Sequence, residues 1–421
     1  MAVLTQPASA SETLTPEWPE GMRYVARQPI LDLRGEVSAY ELLSRAGPEE
    51  AFRGDGDKAT RTMLDNAVLF GLERLTGGIP AFVNCTSEAL TETLVDILPI
   101  GISVLEILET LEPTAELIAA CGKLKASGYR LALDDFVWEP KFEPLVELAD
   151  FIKVDFVSTG PEERQRLFER LRGRPITMVA EKVETQDEYE QARQEGFRLF
   201  QGYYFCRPVL LKNQKVPVNR MRQFEILQLV QREDIDLQEA SQLMKQDASL
   251  TYRLLRLANS PMYATRVDVD CFEAALLMVG ENTFRRMVTL AITADLNGKQ
   301  PLEILRMAFL RGRFCELASE RCGLNPNEQF MMGLMSLLPA MMLMPMEDLA
   351  QTLPLREEIR AALNGASNHE HVLLRWLESH EVGDWATCDA VGKANGLAQE
   401  ETAAFYRSSL MWAQAALRLV L

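Results

Sequence analysis

Histidine is scarce. The 421 residues hold three, at positions 369, 371 and 380. His369 and His371 flank Glu370 in NHEH, which offers too few nearby ligands for zinc and reads better as a helix cap or solvated face. Paired cysteines are missing too. The seven, at 85, 121, 206, 271, 315, 322 and 388, are odd in number and form no CxxC, which favours reduced thiols in a cytoplasm over a disulfide scaffold. No run suits a bilayer span: the most apolar, Phe330–Met346, is 17 residues long with two prolines inside. Its methionines read as helical core, with an adaptable partner groove as the alternative. Met1–Glu20 lacks a basic start before an apolar run, so residues 1–22 are expected to be a loose leader and not a signal peptide. Positive charge is also short. Lys and Arg number 44 against 61 acids, a net charge of −17 that disfavours nucleic acid, with Arg253, Arg256, Arg285 and Arg286 as one candidate basic patch.

What is present is ordinary globular composition, 47% hydrophobic and 25% charged, in a chain long enough for two or three domains. Short apolar runs at Val25–Leu31, Val37–Leu43, Ala81–Cys85, Val104–Ile107, Arg130–Leu133, Phe151–Val154, Thr177–Ala180 and Phe197–Phe200 read as strands. Helical segments such as Ala59–Leu75, Thr114–Ser127 and Pro161–Arg172 separate most of them. This predicts a closed, TIM-like (β/α)₈ barrel over residues 23–210, with an open doubly wound sheet as its rival. The first two runs, joined by Asp32–Glu36, predict an antiparallel hairpin. Beyond Lys212 the pattern is helical throughout: Gln223–Gln231, Leu237–Met244, Ser249–Ala258, Cys271–Val279, Thr283–Leu296, Leu302–Arg321 and His371–Ser379. The segment 211–219 is the natural hinge, and residues 211–421 form an all-α domain of short packed helices.

Polar residues recur where the strands of the first half should end: Glu41, Asn84, Glu106, Asp134–Asp135, Lys153, Glu181 and Gln201. The gaps, counted from Asp134 for the pair, are 43, 22, 28, 19, 28 and 20 residues, about one strand-plus-helix unit each. Each residue then sits on a different strand at one rim, the active-site mouth of a barrel. Converging carboxylates repel unless cations neutralise them, and an oxygen-rich set suits Mg²⁺ or Mn²⁺. Two such ions clamp a phosphodiester for in-line attack. Plainer readings stand beside this one: rim charges for the glutamates, a loop hydrogen bond for Asn84, a helix cap for Asp134–Asp135. Lys153, inside the apolar FIKVDF, needs a carboxylate or phosphate partner.

The first half resembles the EAL family, the cyclic di-GMP phosphodiesterase domain of bacterial signalling. The resemblance is carried by RQPILDLRGEVSAYELLSR at 27–45, FVNCT around Asn84, LEILE at 105–109, LDDF, IKVD, AEKVET and FQGYYFCRPV at 200–209. It implies that Glu41, Asn84, Glu106 and Asp134 hold a first metal ion and that Asp134 bridges to a second beside Asp135. Lys153 and Gln201 would act on water or phosphate, Glu181 would organise the pocket, and Glu109 and Glu184 would support it. Mg²⁺ or Mn²⁺ would be the cofactor, cyclic di-GMP the substrate and pGpG the product. Leu108 stands where the family has Thr, Val137 where it has Gly, and VWEPKFEP at 137–144 replaces a Gly/Ser-rich loop. These departures imply the alternative of an inactive nucleotide sensor or protein scaffold. Trp138 is a candidate contact with the second domain.

The second half resembles HDOD domains, non-catalytic relatives of HD phosphohydrolases, through MKQDASLTYRLLRLANSPMY at 244–263 and FEAALLMVGENTFRRMVTLAI at 272–292. In MGLMSLLPAMM, Ser336 and Leu337 stand where an HD enzyme has its His-Asp pair. The resemblance implies signal transduction through an unidentified protein partner of the HDOD domain, and leaves a homo-oligomer open.

Overall fold

Eight strands close into one barrel in chain order: β1 Val25–Asp32, β2 Val37–Ser44, β3 Ala81–Cys85, β4 Ser103–Ile107, β5 Arg130–Leu133, β6 Phe151–Asp155, β7 Thr177–Glu181 and β8 Leu199–Gln201. Closure excludes the open sheet. The structure is a computed structural model that describes residues 25–44, 71–206, 218–232, 242–244, 247–263, 269 and 271–421. The expected leader, most of the hinge expected at 211–219 and most of the helices expected at Ala59–Leu75 and Leu237–Met244 lie outside the described residues.

Strand β1 runs antiparallel to both β2 and β8, and the remaining neighbours are parallel. The reason is local. Asp32 Oδ1 accepts the backbone N–H groups of Arg34 at 2.8 Å and Glu36 at 2.9 Å, and Gly35 takes φ +75°, so the chain reverses in a tight turn with no crossover helix. Later strands are linked by α1 Leu72–Thr76, α2 Ser87–Thr91, α3 Ala115–Ala126, α4 Glu143–Val146, α5 Pro161–Leu171 and α6 Gln186–Glu195. Thr114 caps α3 through the N–H of Leu117, and Thr185 with Glu188 forms a reciprocal capping box on α6.

The described part of the second half is helical: α7 Val218–Val230, α8 Ala248–Ala258, α9 Phe272–Val279, α10 Glu281–Asn297, α11 Leu302–Ser319, α12 Pro326–Met335, α13 Leu338–Met342, α14 Met346–Ala350, α15 Glu357–Leu363, α16 Val372–Glu381, α17 Trp385–Asn395 and α18 Gln399–Val420. Asp247 caps α8 by accepting the backbone N–H of Leu250, and Gly280 ends α9. The methionines of the apolar run are core: Met331, Met332, Met335, Met341 and Met344 are buried. None of the described helices is long and apolar enough to cross a membrane. The candidate basic patch is spent internally, because Arg253, Arg285 and Arg286 pair with Asp295, Glu281 and Glu316, while Arg256 donates to the carbonyl of Arg418.

One apolar cluster runs from the outer faces of the barrel strands, including Leu31 and Leu42, into the helical half. A second, smaller cluster fills the barrel interior with Ile30, Ala39, Phe82, Val104, Ala132, Val179 and Leu199, against Phe151.

Candidate functional site: a lysine among carboxylates

That interior layer places the site. Side chains alternate along a strand, so the residue two positions beyond each interior one also points inward, one layer nearer the mouth. From β2 to β8 the pairs are Ala39 and Glu41, Phe82 and Asn84, Val104 and Glu106, Ala132 and Asp134, Phe151 and Lys153, Val179 and Glu181, Leu199 and Gln201. On antiparallel β1 the order inverts, and Gln28 precedes Ile30. An apolar floor therefore carries a polar layer contributed by all eight strands.

Lys153 stands at the centre, 0% exposed. Its Nζ lies 2.6 Å from Glu106, 2.8 Å from Asp134, 2.8 Å from Glu181 and 3.1 Å from Glu41. Asn84 Nδ2 donates to Glu41 Oε1 at 3.1 Å, and Gln201 Nε2 donates to Glu41 Oε2 at 2.5 Å and to Gln28 Oε1 at 2.8 Å. Gln28 was not among the sequence candidates, although the inverted parity of the hairpin points to it. Next to Gln201, Gly202 has φ +144°, and a Cβ there would lie 1.9 Å from the carbonyl oxygen of Val183, so no other residue fits without moving that segment.

The electrostatics follow from four acids sharing one base out of water. Burial pushes the carboxyl of Glu106 well above its ordinary range despite Lys153, and it raises Asp134 as well. Burial pushes Glu181 up to about 8. Glu41 is the exception. Burial acts on it too, but the Lys153 charge and hydrogen bonds from Gln201, Lys153 and Asn84 outweigh it and hold the carboxyl low. For Lys153, burial works against the ammonium, and Glu106, Glu41, Glu181 and Asp134 together overcome it, raising its pKa.

Residues 58–208 match the model of the EAL domain, and residues 217–378 match that of the HDOD domain. The uncharacterized protein YuxH of Bacillus subtilis is 33% identical over 400 residues, 92% of this chain and 97% of its own. The chain belongs to the EAL–HDOD family. It is a signal-transduction protein of that architecture. Vibrio cholerae CdgJ, named a cyclic di-GMP phosphodiesterase, is 33% identical over 86% of this chain and 85% of its own. Among solved structures, a calcium and cyclic di-GMP complex of Klebsiella pneumoniae BlrP1 aligns at 26% identity over 44% of this chain and 56% of its own, with a TM-score of 0.38.

Within the EAL barrel, not every candidate joins the nest. Asp135, at φ +39°, turns its carboxylate to Lys182, whose Nζ lies 3.1 Å from it and 2.6 Å from Asp155. Lys182 is itself in the left-handed region at φ +57°, and no spacing in the sequence announces its reach. Glu109 and Glu184 are exposed, and the backbone N–H of Glu184 donates to Glu188. The loop after Asp135 folds onto its own domain. Trp138 packs edge-on against Phe136, with the Arg170 guanidinium 5.0 Å from its ring, so the expected contact with the second domain is replaced by one inside the barrel. A slot of about 210 Å³ lies between Leu108, Glu109, Asp134, Asp135, Val137 and Phe142.

In the HDOD domain Ser336 sits at a structural junction. Ser336 Oγ donates to the Gly333 carbonyl at 2.7 Å and accepts from Arg311 at 3.1 Å. Arg311 forms a two-pronged pair with Glu381, at 3.0 and 2.6 Å, and all but a few per cent of both residues is buried.

Proposed function

We propose that this chain is a cyclic di-GMP-responsive signalling protein whose EAL barrel binds the nucleotide without turning it over, and whose HDOD domain passes the bound state to a protein partner. The observation that carries this reading is the position of Lys153. Its ammonium lies within 3.1 Å of all four carboxylates at the centre of the donor set. Among the described residues, no three acids, cysteines or histidines are arranged around an open metal position.

The donor chemistry fits one hard divalent ion. Glu106 Oε2, Glu181 Oε2 and Gln201 Oε1 are buried oxygens that accept no hydrogen bond, and four carboxylates face a single ammonium. Glu41, Asn84, Glu106 and Asp134 would hold Mg²⁺ or Mn²⁺ once Lys153 withdraws, and the ion would supply charge for a phosphate. The second half of a two-ion clamp fits poorly, because Asp135 is bound to Lys182 at the rim. Recognition of a phosphodiester survives that arrangement, whereas in-line hydrolysis loses one of its two cations. The family relationship to a named cyclic di-GMP phosphodiesterase supports the ligand class.

Titration calorimetry of the full chain with cyclic di-GMP in Mg²⁺, Mn²⁺ or chelator, followed by product analysis, tests this. Metal-assisted binding with no pGpG is the expected result. Production of pGpG that disappears in Glu41→Ala and Lys153→Ala would establish a hydrolase instead. No binding in any condition would leave a protein scaffold.

A further inference from the structure

In a (β/α)₈ barrel each strand hides its outer face beneath the helix that follows it. The β1–β2 hairpin lacks one after its first strand, because a turn at Asp32–Glu36 joins its strands. Its outward residues are nonetheless buried: Leu31 is 0% exposed, Leu42 1% and Tyr40 2%. The HDOD domain packs against this hairpin. Helix α16 packs on β1, Pro301 lies against the turn glycine Gly35, and Tyr40 reaches the start of α11.

Among the described residues, two of the polar contacts between the barrel and the HDOD domain adjoin nest residues. Tyr40 precedes Glu41 on β2, and its hydroxyl donates to Glu303 Oε2 at 3.0 Å. Glu303 is in turn held by Arg306, whose Nε lies 2.6 Å away. The Arg27 and Arg306 guanidinium groups lie 4.4 and 5.3 Å from the Tyr40 ring. Tyr203 follows Gln201 by two residues, and its hydroxyl donates to the backbone carbonyl of Glu381, the residue that anchors Arg311. Glu41 and Gln201 are themselves hydrogen-bonded across the nest.

We infer that Tyr40 and Tyr203 are positioning residues through which the HDOD domain sets the geometry of the carboxylate nest. Because side chains alternate along a strand, Tyr40 faces the helices while Glu41 faces the barrel axis, so fixing the tyrosine fixes the strand that aims the acid. Tyr203 acts alike on the segment that carries Gln201, whose tight glycine turn leaves little slack. The two anchors, one on each side of the antiparallel strand, hold the Gln201–Glu41 bond closed. A partner that shifts α11 or α16 therefore changes the nest without entering it.

The test uses the full chain with Tyr40→Phe and Tyr203→Phe, singly and together, and Glu303→Gln on the helical side. Phenylalanine keeps the ring packing and removes only the hydroxyl. Tyr129→Phe is the control, a buried tyrosine whose hydroxyl donates to the Val95 and Leu98 carbonyls within the barrel. Amide exchange of β2 and of residues 199–203 should rise about 3- to 10-fold in the double variant, the range a lost hydrogen bond gives. Glu303→Gln should reproduce the β2 change, and Tyr129→Phe should leave both segments alone. Cyclic di-GMP affinity in Mn²⁺, a readout that rests on the sensor reading, should fall by a similar factor. Unchanged exchange at β2 and β8 in well-folded variants would overturn the inference. Exchange changes in a chain that binds no nucleotide would leave the inference standing and remove the sensor reading.

Discussion

The two domains each bury charge, and they do so in opposite ways. In the HDOD half, Arg311 meets one buried acid, Glu381, through two hydrogen bonds, with Ser336 taking a further guanidinium N–H and the more exposed Glu378 3.6 Å away. In the barrel, Lys153 answers four carboxylates, and oxygens of Glu106, Glu181 and Gln201 are left without a donor. An unbalanced nest costs stability and is retained where something cationic or hydrogen-bonding arrives from outside.

Removing the only base of the nest should break this contrast most strongly. Lys153→Met strands four acids, three of them buried, and a loss of about 3–5 kcal/mol is expected from the removal of one partner of a buried ion pair. Thermal melting should show that loss. Added Mn²⁺ should restore part of it, because a divalent ion replaces the missing charge. In the HDOD half, Arg311→Met should cost a similar amount or somewhat less, since it strands one buried acid. Mn²⁺ should not help there, whereas Arg311→Met combined with Glu381→Leu should recover most of the stability. Rescue of both single variants by Mn²⁺ would erase the distinction between the domains.

A pH scan sharpens the comparison further. His380 is buried among Trp376, Trp385 and Tyr406, and burial lowers its pKa to about 3. The imidazole is thus neutral when folded, while in the unfolded chain it titrates near about 6.5. The folded state binds fewer protons, so its stability is full above pH ~6.5 and falls by about 1.4 kcal/mol per unit as pH drops toward the folded pKa. His380→Phe should flatten that acid limb in urea melts between pH 6.5 and 4. The smallest effect belongs to neither charge system. Thr185→Ala removes one side of the α6 capping box and should cost about 1 kcal/mol, with no change in metal response.

The sequence alone determined the periodic part of this protein. Short apolar runs located all eight strands, the turn at Asp32–Glu36 made the first pair antiparallel, and the recurrence of one polar residue per strand end pointed to the members of the nest other than Gln28. These signals are local, set by runs of apolar side chains and backbone turn chemistry, and they survive in a single chain. Only the tertiary structure decided how the charges are shared. Lys153 has no sequence neighbour among its four acids, and Asp135 differs from Asp134 by one position yet turns to Lys182 because its backbone is left-handed. Trp138, exposed to either reading in the sequence, settled on Phe136 and Arg170 within its own domain. The packing against the β1–β2 hairpin was likewise invisible, since Tyr40 and Glu303 are 263 residues apart. Such contacts depend on packing between distant segments, which no spacing along the chain encodes.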